Sequence, residues 1–354
     1  MNNLKIKSFL LILSLFLAVS DLKSGTIISF RRRPRIRLNF LSEYDNNIFL
    51  YSPQGLYEFK HQIRPYRFPF QTADDVITSW NLNISLPFLF LKRPTDFLID
   101  YKAKIYTVNS EKTYQIIQTA VFNRLTPKLE LQVSYLLIPK YLIRYYRDPL
   151  NTEPHYIGCF FREHLFSFSA RYRFSFMTIN PYFRYEIADY RQNFNFYDGN
   201  ATRPGIKLRL PITKTLSVTA RWERRNYHAR GEVPDISSIS DNFQSRWQLK
   251  TNRRLTLVTE LEYELRHYTT TNHISIDPYH RNRTDRKYSF KINASYQIRS
   301  SLEIFTEYRY EFRNVSSPSF IDIDEIKNYN NYKMSGGVRF SLPVNNPRPQ
   351  DEEY

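Results

Sequence analysis

Between Ser301 and Arg313 the chain reads SLEIFTEYRYEFR, and its two parities carry opposite chemistry. Leu302, Ile304, Thr306, Tyr308, Tyr310 and Phe312 fall on one parity. Glu303, Glu307, Arg309, Glu311 and Arg313 fall on the other. An extended strand sends alternate side chains to opposite faces, so this segment has one apolar face and one heavily charged face. The same alternation runs through 255–266, 287–299 and 166–176. It returns in 36–52, 79–90, 96–108, 129–146, 182–196, 206–212, 216–227, 243–250 and 332–342, and less cleanly in 114–125. The expected total is about fourteen strands.

The connections decide what such strands build. Turns of a few residues are expected at 92–95, 125–128, 178–180, 213–215, 251–254 and 298–301. They alternate with mostly longer segments at 53–76, 148–162, 229–240, 270–284 and 315–328; those near 109–112 and 198–203 are short. Short turns alternating with long loops make the up-and-down meander of a membrane barrel, whose apolar face meets lipid and whose polar face meets a wet lumen. A soluble β-sandwich, with crossing connections, has no such rhythm. The predicted fold class is therefore all-β: a transmembrane up-and-down antiparallel β-barrel over 36–342, with both termini on the periplasmic side.

Composition agrees. The 354 residues include 28 Tyr and 27 Phe, yet mean hydropathy is negative. That combination suits a wall in which only every second residue meets an apolar medium and aromatics mark the interfaces. Only 8 Gly leaves few phosphate-cradling loops. The single cysteine, Cys159, in the loop-like EPHYIGCFFREH, excludes an intrachain disulfide framework.

At the N-terminus, Lys5 and Lys7 precede an apolar run from Phe9 to Val19, with small Ala18 and Ser20 before a cleavage point. Residues 1–20 read as a secretory signal peptide, and no later run is long and apolar enough for a membrane helix. Residues 21–35 form a basic periplasmic segment, and 343–354 a polar periplasmic tail. The run RRRPRIR (31–37) fits a position beside anionic lipid headgroups better than a nucleic-acid site.

The last strand contains SGGVRFSL, in which Ser335, Gly337, Phe340 and Leu342 fill the polar, glycine, aromatic and hydrophobic places of a C-terminal barrel-assembly signal. SEYDNNIFLYS (42–52) is similar to the Y-D-x-N segment of an early strand in many barrels. With the hairpin rhythm, these motifs make residues 31–342 resemble the bacterial outer-membrane β-barrel proteins, of porin-like kind. The resemblance implies integral outer-membrane location and recognition by the barrel-assembly machinery. The polar tail after Leu342 departs from the family, which usually ends on the aromatic.

Function is then expected in the lumen or loops. The polar parity carries Arg37, Lys102, Lys104, Arg171, Arg173, Arg184, Lys207, Arg209, Arg221, Arg225, Arg246 and Lys250, then Arg266, Lys287, Lys291, Arg309, Arg313, Lys333 and Arg339. Its acids are Glu43, Asp45, Asp100, Glu186, Glu223, Glu260, Glu262, Glu264, Glu303, Glu307 and Glu311. The strands from Arg171 to Lys250 read as almost purely basic inside, facing an acidic arc at Glu260–Glu264 and Glu303–Glu311. The structural alternative is a set of Arg/Glu ladders between strands such as 255–266 and 301–313, taken as neighbours.

An excess of 51 Lys+Arg over 34 Asp+Glu attracts small anions. The expected activity is passive diffusion of small hydrophilic, anionic solutes. The alternative is a non-conducting scaffold or receptor barrel that binds a partner through its loops. Segment 53–76, with Tyr57, Phe59, Tyr66, Phe68 and Phe70, could grip a partner, fold inward as a plug or lie at the membrane rim. No Ser/His spacing suggests catalysis. His273, Asp277 and His280, the nearest approach to a metal set, read as a solvated loop. No enzyme activity, cofactor or nucleic acid is expected; the partners are outer-membrane lipid, the assembly machinery and small solutes, and oligomeric state is left open.

Overall fold

The computed structural model describes residues 28–29, 34–318 and 327–342. The signal peptide, most of the basic N-terminal segment and the polar tail lie outside the described residues. A two-residue strand, β1 (Ile28–Ser29), pairs with the end of β3. The wall follows in chain order: β2 (Arg35–Asp45), β3 (Asp75–Phe90), β4 (Arg93–Tyr106), β5 (Tyr114–Arg124) and β6 (Leu129–Arg147). Next come β7 (Tyr156–Arg173), β8 (Thr178–Tyr190), β9 (Gly199–Pro211), β10 (Leu216–Ala229) and β11 (Ser238–Lys250). β12 (Leu255–Tyr268), β13 (Thr284–Arg299), β14 (Leu302–Ser316) and β15 (Tyr329–Leu342) complete it.

From β2 to β15 each strand pairs antiparallel with its sequence neighbours, and β15 returns to β2 with Lys333 opposite Asp45 and Leu342 opposite Ile36. The result is a closed fourteen-stranded barrel. Closure satisfies the ladder hydrogen bonds that a sheet edge would strand in lipid, the condition for spanning a bilayer with strands. The outward parity of 301–313 behaves as expected: Ile304 is 42 % exposed, in line with Phe40, Val133, Phe168, Phe243 and Leu261 around the wall. Only lipid makes such a continuous apolar exterior stable.

Several boundaries differ from the sequence reading. β2 stops at Asp45 rather than Ser52, because Asn47 is fully buried and its side chain holds a reversal: its amide donates to the Tyr51 carbonyl and its carbonyl oxygen accepts from the Tyr51 N–H, at 2.8 and 2.9 Å. Residues 178–180 belong to β8, and the turn lies at 174–177, closed by Phe174 N–H to the Met177 carbonyl. Residues 192–197 form a 3-10 turn instead of continuing a strand. Cys159 lies within β7, fully buried, and not in a loop.

β6 and β7, at 19 and 18 residues, are the longest strands. β5 stops pairing with β6 at Leu137, whereas β6 and β7 continue to Arg147 opposite Tyr156. Two register shifts, between Ile138 and Tyr141 and between Leu142 and Tyr145, bend this overhang. Long connections share its end of the barrel, and tight turns close the other; these are the loop end and the turn end below.

Candidate functional site: the charged lumen

Register lays the inward residues in rows. Across β9, β10, β11, β12 and β13 one row reads Lys207, Arg221, Gln244, Glu262 and Ser289. The expected lumen parity is correct throughout, but the charges are not segregated into a basic arc and an acidic arc. In β8–β10 Arg203 bridges Glu186 at 3.0 Å and Glu223 at 2.5 Å. Glu223 also takes Arg184 at 3.1 Å and Arg221 at 2.6 Å, while Glu186 takes Arg225 at 2.6 Å. Four arginines around two buried carboxylates leave those carboxylates well satisfied and the guanidinium groups partly neutralised.

The acids of the supposed acidic arc are also engaged. Glu260 sits 3.3 Å from Arg246 and 2.9 Å from Lys291, which is also 4.0 Å from Glu307. Glu264 holds Arg266 at 2.6 Å, Glu303 holds Arg339 at 2.5 Å, and Glu262 accepts from Asn242 at 2.6 Å. β12 and β14 are not neighbours: β13 lies between them and supplies Lys287 and Lys291, so charge alternates from strand to strand.

One cluster is only partly covered by such pairs. Arg171, Arg173, Lys207 and Arg209 line a single cavity of about 290 Å³ toward the turn end, with Thr178 and Asn180. Glu130 meets Arg171 at 2.7 Å and Arg173 at 3.5 Å. Lys207 and Arg209 have no acidic partner among the described residues, and both are exposed to the lumen. The cavity adjoins another of about 380 Å³, which shares Arg171, Asn180 and Lys207 and adds Arg184 and Arg221 of the paired network beside uncharged Gln118, Gln132 and Ser134. Backbone oxygens are spent in the ladder, so an anion here meets mainly cationic donors, with the Asn180 side-chain oxygen and the Glu130 carboxylate as the acceptors nearby.

Arg203 and Glu130 were both missed by the sequence reading. The first fell within the supposed connection 198–203, although it continues the odd parity of Lys207 and Arg209. The second shares the even parity of Gln132 and Ser134 but interrupts the apolar start of its strand.

The loop end is crossed by packed side chains. Segment 46–74 contains α1 (Pro53–Lys60), started by the Ser52 hydroxyl accepting from Gly55 N–H and by Pro53 at the first turn. Glu58 holds Arg64 and Arg67, both at 2.5 Å. Phe49, Tyr51, Phe68 and Phe70 then pack on Ile77, Tyr106, Leu142 and Tyr145, so this segment lies against the wall and the β6–β7 overhang rather than at the lipid rim.

Lys112, in the β4–β5 connection, pins the arrangement. Its ammonium donates to the Leu142 and Ile143 carbonyls at 2.8 and 3.0 Å and lies 4.8 Å from the Phe49 ring. Burial pushes Lys112 down to about 7. On the far side Lys327 lies 5.8 Å from the Tyr146 ring and 5.9 Å from Tyr279, linking β6 to the β14–β15 connection. Burial, then repulsion from Arg144, Arg283 and Arg313, pushes Lys327 well below the usual lysine range.

In the β12–β13 loop His280 bonds Asp277 at 2.7 Å while His273 bonds Ser275, so the two imidazoles do not converge. Ser335, Gly337, Phe340 and Leu342, expected from the sequence to form an assembly signal, all lie in β15, the strand that closes onto β2, with Phe340 and Leu342 facing outward.

Closed, fourteen-stranded, apolar outside and charged inside, the chain has the fold of a membrane-spanning β-barrel. No family model and no curated protein matches it. Among solved structures it is similar to the outer membrane channel DcaP of Acinetobacter baumannii, at 10 % identity over 90 % of this chain and 99 % of that one, with a TM-score of 0.49. An anion-selective porin from Comamonas acidovorans matches at 4 % identity over 89 % and 99 %, TM-score 0.45. Pseudomonas aeruginosa OprD matches at 10 % over 89 % and 97 %, TM-score 0.39. At such identities the likeness carries nothing about solute or selectivity.

Proposed function

We propose that this barrel is a passive diffusion channel for small hydrophilic anions, with Arg171, Arg173, Lys207 and Arg209 as its selecting group. The observation that carries the reading is their convergence on one cavity whose described lining holds four cations and no carboxylate, with Glu130 paired to Arg171 and Arg173 beside it. Fixed charge in a narrow wet lumen concentrates counter-ions and excludes co-ions. The paired networks at Glu186, Glu223 and Glu260 belong to the wall: they hold register, and the surplus of arginine at Glu186 and Glu223 adds to the positive field of the lumen. In this reading residues 1–20 direct export, the turn end is periplasmic, and β15 is the strand engaged by the assembly machinery.

The test is the reversal potential of single channels in a planar bilayer under a KCl gradient. The wild type is expected to favour Cl⁻. Changing the four residues together to Gln is expected to bring the ratio of anion to cation permeability close to one or below it. Unchanged selectivity in the fourfold variant would overturn the assignment.

A second reading has its own support. Contacts from 46–74, Lys112 and Lys327 cross the loop end, as in a barrel that is closed there and acts as a receptor or scaffold. A folded wild-type barrel without conductance steps would favour it.

A further inference from the structure

The outer wall carries a cleft that a lumen-based function does not use. On β10–β14 the outward row Ala220, Ser245, Leu261, Phe290 and Tyr310 contains two small residues side by side. They leave a cleft of about 590 Å³, closed toward the loop end by Phe243, Tyr263, Tyr288 and Phe312 of the next row. Tyr288 and Phe312 stack at 4.7 Å, which makes that wall firm. The volume lies within the range of roughly 300–1,000 Å³ usual for ligand sites.

One row further toward the loop end the outward face changes character. Arg224, Asp241, Leu265, Arg286 and Asn314 stand there in register. Asp241 holds Arg224 through two bonds, at 3.0 and 2.8 Å, and also accepts from the Trp222 indole at 3.1 Å. Arg286 is exposed and has no carboxylate partner among the described residues. A cation on the lipid face is costly unless it reaches the interface and finds an anion there. Guanidinium groups meet phosphate through paired, charge-assisted bonds.

We propose that this face binds a phosphate-bearing lipid of the surrounding leaflet, with one acyl chain in the cleft beside Ala220 and Ser245 and the phosphate on Arg286. The spacing suits it: same-face rows are about 7 Å apart and strands about 5 Å, so Arg286 stands about 14 Å toward the loop end and about 10 Å to the side of Ser245, within reach of the glycerol and acyl chain of one phospholipid. The inference rests on the membrane-barrel reading and not on conductance, so the two fail separately.

The test is native mass spectrometry of the intact, heat-modifiable barrel released from detergent micelles doped with phosphatidylglycerol or with diacylglycerol of the same chains. The wild type is expected to retain phosphatidylglycerol at least fivefold better than diacylglycerol. Arg286→Gln is expected to abolish the preference. Ala220→Leu with Ser245→Leu, which fills the cleft, is expected to reduce retention of both lipids. Val133→Leu, on another part of the wall, is expected to change neither. Equal retention of the two lipids by the wild type would overturn the proposal whatever the variants do, and so would undiminished phosphatidylglycerol retention in a closed barrel with the cleft filled.

Discussion

Lys112 shows how one side chain can tie three segments together. It reaches from the β4–β5 connection to two β6 carbonyls and the Phe49 ring, and burial lowers it to about 7 from an ordinary 10.5. A released loop therefore binds more protons than the packed one between about pH 7 and pH 10.5. The sign follows: packing at the loop end strengthens as pH rises through that window and weakens as pH falls toward 7. Amide protection factors for 46–52 and 107–113, corrected for intrinsic exchange, are expected to rise between pH 7 and 9.5 by up to about a hundredfold. Lys112→Met should flatten the profile; a wild type insensitive to pH would count against the pin. The sequence gives no warning of this lysine, which sits in a short polar connection. Its burial comes from aromatics that are more than fifty positions upstream or on the β6–β7 overhang. Parity, by contrast, finds Lys207 and Arg209 at once, because a period of two is a local property.

At the scale of the strand, β15 shows two glycines side by side with opposite tolerances. A Cβ on Gly337 would lie 2.3 Å from the Phe40 carbonyl oxygen and 2.8 Å from the Phe305 ring. A Cβ on Gly336 would find nothing nearer than the Phe305 carbonyl oxygen at 3.9 Å. Phe305 thus lies over the lumen face of Gly337, with Arg339 5.3 Å above its ring. Gly337→Leu is expected to cut the heat-modifiable, closed fraction in a refolding assay severalfold, while Gly336→Ala should refold like the wild type. Equal yields from both would remove the steric role of Gly337. The turns at 125–128 and 251–254 were legible because strong alternation stops at both edges. The beginning of β7 was not. In YIGCFFR (156–162) apolar residues follow one another without alternation, because the overhang is covered on both faces by other parts of the chain. A run apolar on both parities reads the same in a loop, a core strand or a bend.

For the whole molecule, the question is whether the loop end limits passage. Segment 46–74 and the β6–β7 overhang form the largest apolar cluster of the described residues, inside a barrel whose remaining interior is polar. Replacing 53–70 by a short Gly/Ser linker is expected to raise single-channel conductance severalfold, with the gel shift of a closed barrel retained. An unchanged conductance would put the constriction elsewhere, at the cluster near the turn end.

By itself the chain determined the class of wall: period-two alternation, tight turns set against long loops and an aromatic-rich but hydrophilic composition are local or additive properties. They read out the barrel, its approximate strand number and the inward face of the strongly alternating strands. Tertiary structure alone decided which charges remain free. Register brings Arg203 to both Glu186 and Glu223, sets Lys291 and Lys287 opposite Glu260 and Glu264, and leaves Lys207 and Arg209 without an acidic partner among the described residues. Each of those outcomes depends on which residue stands opposite which, and register between strands is a relation that no single stretch of sequence contains.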